Sequence, residues 1–112
     1  AVAARKMVAQ VPPGLSVEAT NHVLAHLSDR KEARFIKRKP QSDVIALSLA
    51  QDDWKPSRGN IRPSKYKKLL RRLIDEQEYR LVFSERLAVL FVRGEKEKPQ
   101  VSPSKELLEF LK

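Results

Sequence analysis

The sequence contains no cysteine. That removes disulfides, cysteine-ligated zinc and thiol nucleophiles together, and it leaves the compartment open. Glycine is nearly as scarce: Gly14, Gly59 and Gly94 are the three in the chain. Neither a phosphate-cradling P-loop nor a dinucleotide fingerprint can be written with them, and no Gly-x-Ser-x-Gly nucleophile turn occurs. One Trp, two Tyr and four Phe are too few for a base-stacking platform. No apolar run approaches the ~20 residues that span a bilayer, and no signal-peptide pattern is visible. The chain opens on Ala1 inside a helical pattern, from which we expect it to be a piece of something longer.

What is present is charge. Lys and Arg number 23 against 14 Asp and Glu, a net charge of +9. Such an excess attracts nucleic acid, anionic lipid or acidic partners. With 112 residues, 41% hydrophobic and 33% charged, the composition fits one folded domain with a heavily charged surface.

Local patterns divide the chain. Residues 1–10 read as a short helix through Val2, Met7 and Val8, ended by Pro12-Pro13-Gly14. Residues 15–20 alternate Leu15, Val17 and Ala19 with Ser16, Glu18 and Thr20, a strand pattern. Thr20 or Asn21 caps a helix with Val23, Leu24 and Leu27 on one stripe, and 33–36 fits a brief strand. Residues 44–49 (VIALSL) form a continuous run of the kind buried on both faces. A loop over 51–63 leads to the clearest helix, capped by Ser64. There Tyr66, Leu69, Leu70, Leu73 and Ile74 share a face. Residues 79–84 and 87–93 read as a hairpin turning at Glu85-Arg86. A charged linker precedes a last helix over 104–112. The fold class expected is α/β: a small Rossmann-like mixed sheet of about five strands, helices packed on it and a C-terminal antiparallel hairpin.

Candidate chemistry is sparse. His22 and His26 stand four apart, but the segment His-Val-Leu-Ala-His lacks the Glu of a zincin. We expect structural or surface histidines and no metal or other cofactor. Asp52-Asp53 and Asp75-Glu76 are adjacent pairs, whose side chains diverge on regular elements. Asp52-Asp53 does fall beyond the carboxyl end of a parallel strand, where open α/β sheets place ligands. The stronger signal is basic: Lys55, Arg58, Arg62, Lys65, Lys67, Lys68, Arg71 and Arg72 cluster at the start and along the outer faces of the clearest helix. That helix begins basic and ends at Asp75, Glu76 and Glu78, against its own dipole. The charges reinforce a positive end that favours an anion. Arg58, Arg62, Lys65 and Lys68 are the anion contacts expected, against the plainer reading of a solvated helix face.

Three stretches together resemble a known family: VPPGLSVEATNHVLAHLSDR at 11–30, SDVIAL at 42–47, and the helix and hairpin over 66–92. They look like the C-terminal soluble region of a family of polytopic bacterial membrane proteins related to the GT-C type of membrane glycosyltransferase. The likeness covers about residues 8–93. It implies a parent enzyme that uses a lipid-linked sugar, with its catalytic acid in a loop between membrane spans and outside this chain. The domain would be a non-catalytic accessory at the extracytoplasmic face, its helix at 1–10 leading from the last span. We expect the chain to divide into a juxtamembrane-type helix at 1–10, an α/β domain at 11–94 and a linker with a short helix at 95–112. Asn21, His26, Ser28 and Arg30 would mark the family's surface. The partners implied are the membrane-embedded part of the same protein and an anionic lipid or glycan. The alternative is a stand-alone nucleic-acid-binding domain using the basic helix.

Overall fold

The computed structural model describes residues 2–12, 14–20, 23–24, 26–27, 33–36, 40–49, 63–75, 78–94 and 101–112. In chain order the elements are α1 (Val2–Ala9), β1 (Val17–Ala19), β2 (Ala33–Phe35), β3 (Val44–Ser48), α2 (Pro63–Asp75), β4 (Tyr79–Glu85), β5 (Ala88–Arg93) and α3 (Lys105–Phe110). The strands form one mixed five-stranded sheet in the order β2-β1-β3-β5-β4. β1 runs parallel to both β2 and β3, and β5 is antiparallel to β3 and β4. This is the α/β class expected, with the hairpin β4–β5 completing the sheet.

Both faces of the sheet are covered, which is why β3 reads as an unbroken apolar run. On one face Val44, Ala46, Leu90 and Val92 meet Ala3, Met7 and Val11 from α1 and the turn after it. Val23 and Leu27, from the β1–β2 connection, join them. On the other face Ile45, Leu47, Val89 and Phe91 meet Tyr66, Leu69, Leu70 and Leu73 of α2 and Leu107 of α3. Val23 and Leu27 of the β1–β2 connection lie on the first face. Ile36, from the β2–β3 connection, and α2, from the β3–β4 connection, lie on the second. The first crossover moves across the sheet in one direction and the other two in the opposite direction. All three therefore share one hand, the consistency that the right-handed preference demands.

Local chemistry sets the ends. Gly14 takes φ +79°, a left-handed conformation that a side chain disfavours, and lets the chain turn from α1 into β1. α2 starts at Pro63, one residue before the Ser64 cap expected, because proline's fixed φ suits the first helical position. The hairpin turns at Arg86-Leu87, one residue later than the spacing suggests, with Arg86 at φ +52°. A register shift between Leu81 and Phe83 takes up the irregularity in β4. Ser104 caps α3, its hydroxyl accepting from the Leu107 amide.

Candidate functional site

β4 begins at Tyr79, level with the edge where β3 begins, because Tyr79 pairs with Arg93 and Val44 with Val92. α2 ends at Asp75, just before β4. A thirteen-residue helix is about 20 Å long, so its N-terminus lies toward the opposite edge, where β3 ends. Val23 and Leu27, which follow β1, pack on one face of the sheet and α2, which follows β3, on the other. That divergence is the switch point at which open α/β sheets hold ligands. The pair is tied at this edge by Thr20, whose amide donates to Ala46 O at 3.3 Å and whose hydroxyl accepts from the Ser48 amide at 3.0 Å.

Of the anion contacts expected, Lys65 and Lys68 lie on α2, half-buried and exposed respectively. Arg58 and Arg62 lie outside the described residues, as do Asp52 and Asp53. Helical spacing joins exposed Arg72 to Lys65 and Lys68 on one flank, and none of the three meets a carboxylate among the described residues. The other flank is different. Lys67 Nζ donates to the Lys112 carbonyl at 3.3 Å and lies 5.9 Å from the Phe110 ring centroid. The Arg71 guanidinium donates to the Leu111 carbonyl. These two cations hold main-chain oxygens just past the end of α3. The basic arc legible in the sequence is thus divided into an open flank and one spent on tertiary structure.

His26 is exposed, its amide donating to Val23 O at 3.0 Å. Asn21, Ser28 and Arg30, and the second histidine His22, lie outside the described residues. Among the described residues no group of three His, Asp or Glu side chains is placed to hold a metal.

A polar corner that sequence reasoning missed lies at the opposite edge of the sheet. Ser16 and Asp43 bind reciprocally: the Asp43 amide donates to Ser16 Oγ at 2.9 Å, and that hydroxyl donates to Asp43 Oδ2 at 3.2 Å. Tyr79 donates its hydroxyl to Ser42 O at 2.7 Å and accepts from Arg93 at 2.8 Å. Arg93 also donates to Gln41 O at 2.6 Å, and its Nε lies 3.4 Å from Glu78 Oε1. Glu18, 2% exposed, accepts the Gln41 amide at a long 3.4 Å through Oε1. Its Oε2 meets no donor among the described residues. The only local sign was the polar phase of the β1 alternation, which pointed to solvent.

Burial pushes the Tyr79 hydroxyl above its ordinary pKa of 10.0, and the attraction of Arg93 only partly opposes it. Burial also works against the Arg93 charge. The bond to Tyr79 and the negative charges around it outweigh that effect, so Arg93 stays a guanidinium. A tyrosine whose folded pKa is raised contributes stability in full below the unfolded value. That contribution is lost as pH rises through the folded value. We therefore predict that stability falls more steeply above pH 10.0 in the native chain than in Tyr79→Phe. Urea midpoints of both proteins across the alkaline range check this, and parallel curves would contradict it.

No family model, curated protein or solved structure matches the chain.

Proposed function

We propose that this chain is a non-catalytic accessory domain of a larger, glycosyltransferase-like integral membrane protein. It sits at the extracytoplasmic face with the open flank of α2 against anionic lipid phosphate. The carrying observation is the division of the basic helix: Lys65, Lys68 and Arg72 stand on one flank without carboxylate partners among the described residues, while Lys67 and Arg71 are engaged by α3. A row of cations on a rigid helix, in a chain of net charge +9, suits a plane of phosphates. The resemblance over residues 8–93 supplies the parent. Among the described residues no helix is long and apolar enough to cross a membrane, so attachment would rest on other parts of that parent.

Lipid phosphate is favoured over nucleic acid because, among the described residues, no aromatic side chain is on the flank of Lys65, Lys68 and Arg72. Tyr66, Tyr79 and Phe91 are buried, Phe35 is on β2, Phe83 is on β4, and Phe110 lies beside Lys67 on the other flank. A single-strand site would set rings among the cations. Alanine at Lys65, Lys68 or Arg72 should each weaken binding to phosphatidylglycerol-containing vesicles roughly five-fold at low salt. Lys67→Ala and Arg71→Ala should change it less. Complete displacement by inorganic phosphate would point to a free anion rather than a surface. Equal affinity for duplex DNA at matched salt would point to the nucleic-acid alternative. Either result overturns the proposal.

A further inference from the structure

We infer that Lys67 and Arg71 form a second anion subsite on α2, which the chain's own turn after α3 occupies, so that α3 is an internal competitor for the basic face. The inference rests on the reading of α2 as the anion-holding face. Lys67, Lys68, Arg71 and Arg72 lie three and four residues apart, and Lys65 continues the same polar arc. Nothing in the helix itself separates the two flanks. What separates them is α3. Its following carbonyls, at Leu111 and Lys112, accept from Arg71 and Lys67, and the Phe110 ring lies beside Lys67. Main-chain oxygens are strong hydrogen-bond acceptors. They present to the two cations the same kind of acceptor that a phosphate oxygen would.

The hold on α3 is one-sided: Leu107 is in the core, and Phe110 and Leu111 pack against it. The helix has six residues, too few to persist alone. Of these only Leu107 is fully buried; Leu108 is 52% exposed, and Lys105, Glu106 and Glu109 are exposed. Upstream, the segment is tied to β4 by the Val101 amide on Leu81 O at 2.9 Å and the Ser104 amide on Ser84 Oγ at 2.9 Å. Residues after Ser104 can leave α2, exposing Leu107, Phe110 and Leu111, while the attachment of Val101 and Ser104 to β4 stays. A phosphate surface that meets three cations while α3 is docked meets five once it has left, and so it binds the undocked state more tightly. Reciprocity then requires that the surface draw α3 away from α2.

Native-state hydrogen exchange on the unmodified chain tests this directly. At roughly five-fold per released cation, saturating phosphatidylglycerol vesicles should speed exchange of the Leu108 and Leu111 amides on the order of twenty-fold. These amides donate to Ser104 O and Leu107 O. The β3 and β5 amides should be unchanged. Leu107→Ala, which loosens α3 without touching a charge, should tighten vesicle binding by up to the same factor. Vesicle binding with unchanged exchange at Leu108 and Leu111 overturns the inference and leaves the α2 reading standing. No vesicle binding by either protein overturns both.

Discussion

Phe91→Ala is expected to cost about 4 kcal/mol, from the 3–5 kcal/mol typical of a large buried aromatic replaced by alanine. Phe91 lies on β5, fully buried, between the pairing partners Ile45 on β3 and Leu81 on β4. It belongs to the face on which Leu69, Leu70 and Leu73 of α2 rest. Removing the ring therefore opens a cavity beneath the basic helix. Close-packed interiors relax only partly around such a void. A domain of this size has about 5–15 kcal/mol in total, so the variant should be near the limit of folding. Urea unfolding should show a large fall in midpoint with the slope retained. A loss below about 1 kcal/mol would mean that the sheet and α2 are not packed through this residue.

Glu18→Met should do the opposite and stabilise the chain by about 1–3 kcal/mol. Glu18 stands on β1, the middle of the three parallel strands, paired in register with Arg34 and Ile45. It is buried with one oxygen weakly bonded to the Gln41 amide and the other without a partner among the described residues. A buried carboxylate in that state loses hydration it does not recover. Methionine fills similar volume with no charge and adapts its shape. Gln41 is exposed, so its amide can turn to water when the acceptor goes. Thermal unfolding should rise by several degrees. A fall in stability would show that Glu18 has a partner in solution that outweighs its desolvation.

The elements whose signals are local were legible in the sequence. The five apolar positions of α2 are the ones that meet the sheet, with Tyr66, Leu69, Leu70 and Leu73 buried and Ile74 packed beside them. The unbroken run at 44–48 is the central strand, buried along its whole length. The alternation of β1 was informative for Val17 and Ala19 and misleading for Glu18. Glu18 is buried and meets the amide of Gln41 from the β2–β3 connection, an arrangement no local pattern encodes. The same limit applies to α3. Three leucines announced a helix, yet Leu107 is buried and Leu108 is largely exposed, because only one side reaches the core. Lys67 and Arg71 looked equivalent to Lys65 and Lys68. Their difference comes from partners some forty positions away, and helical spacing cannot foresee it. Arg58, Arg62, Asn21, Ser28 and Arg30 lie outside the described residues; the site proposed here rests on Lys65, Lys68 and Arg72.

The polar corner lies at the edge of the sheet where α2 ends, and the basic face runs along α2 away from it. Tyr79, Arg93, Ser16 and Asp43 join the starts of β1, β3 and β4 to the end of β5. That bonding fixes the sheet on which α2 rests. α2 leaves its cations on a surface held by the core rather than by their own contacts.

The most direct test of that surface is sedimentation of the unaltered chain with vesicles of phosphatidylcholine alone and of phosphatidylcholine mixed with phosphatidylglycerol. Binding that appears only with the anionic lipid, and weakens steeply as salt is raised, is the result predicted from the open flank of α2. Equal partition to both vesicle types, or none to either at low salt, would contradict it.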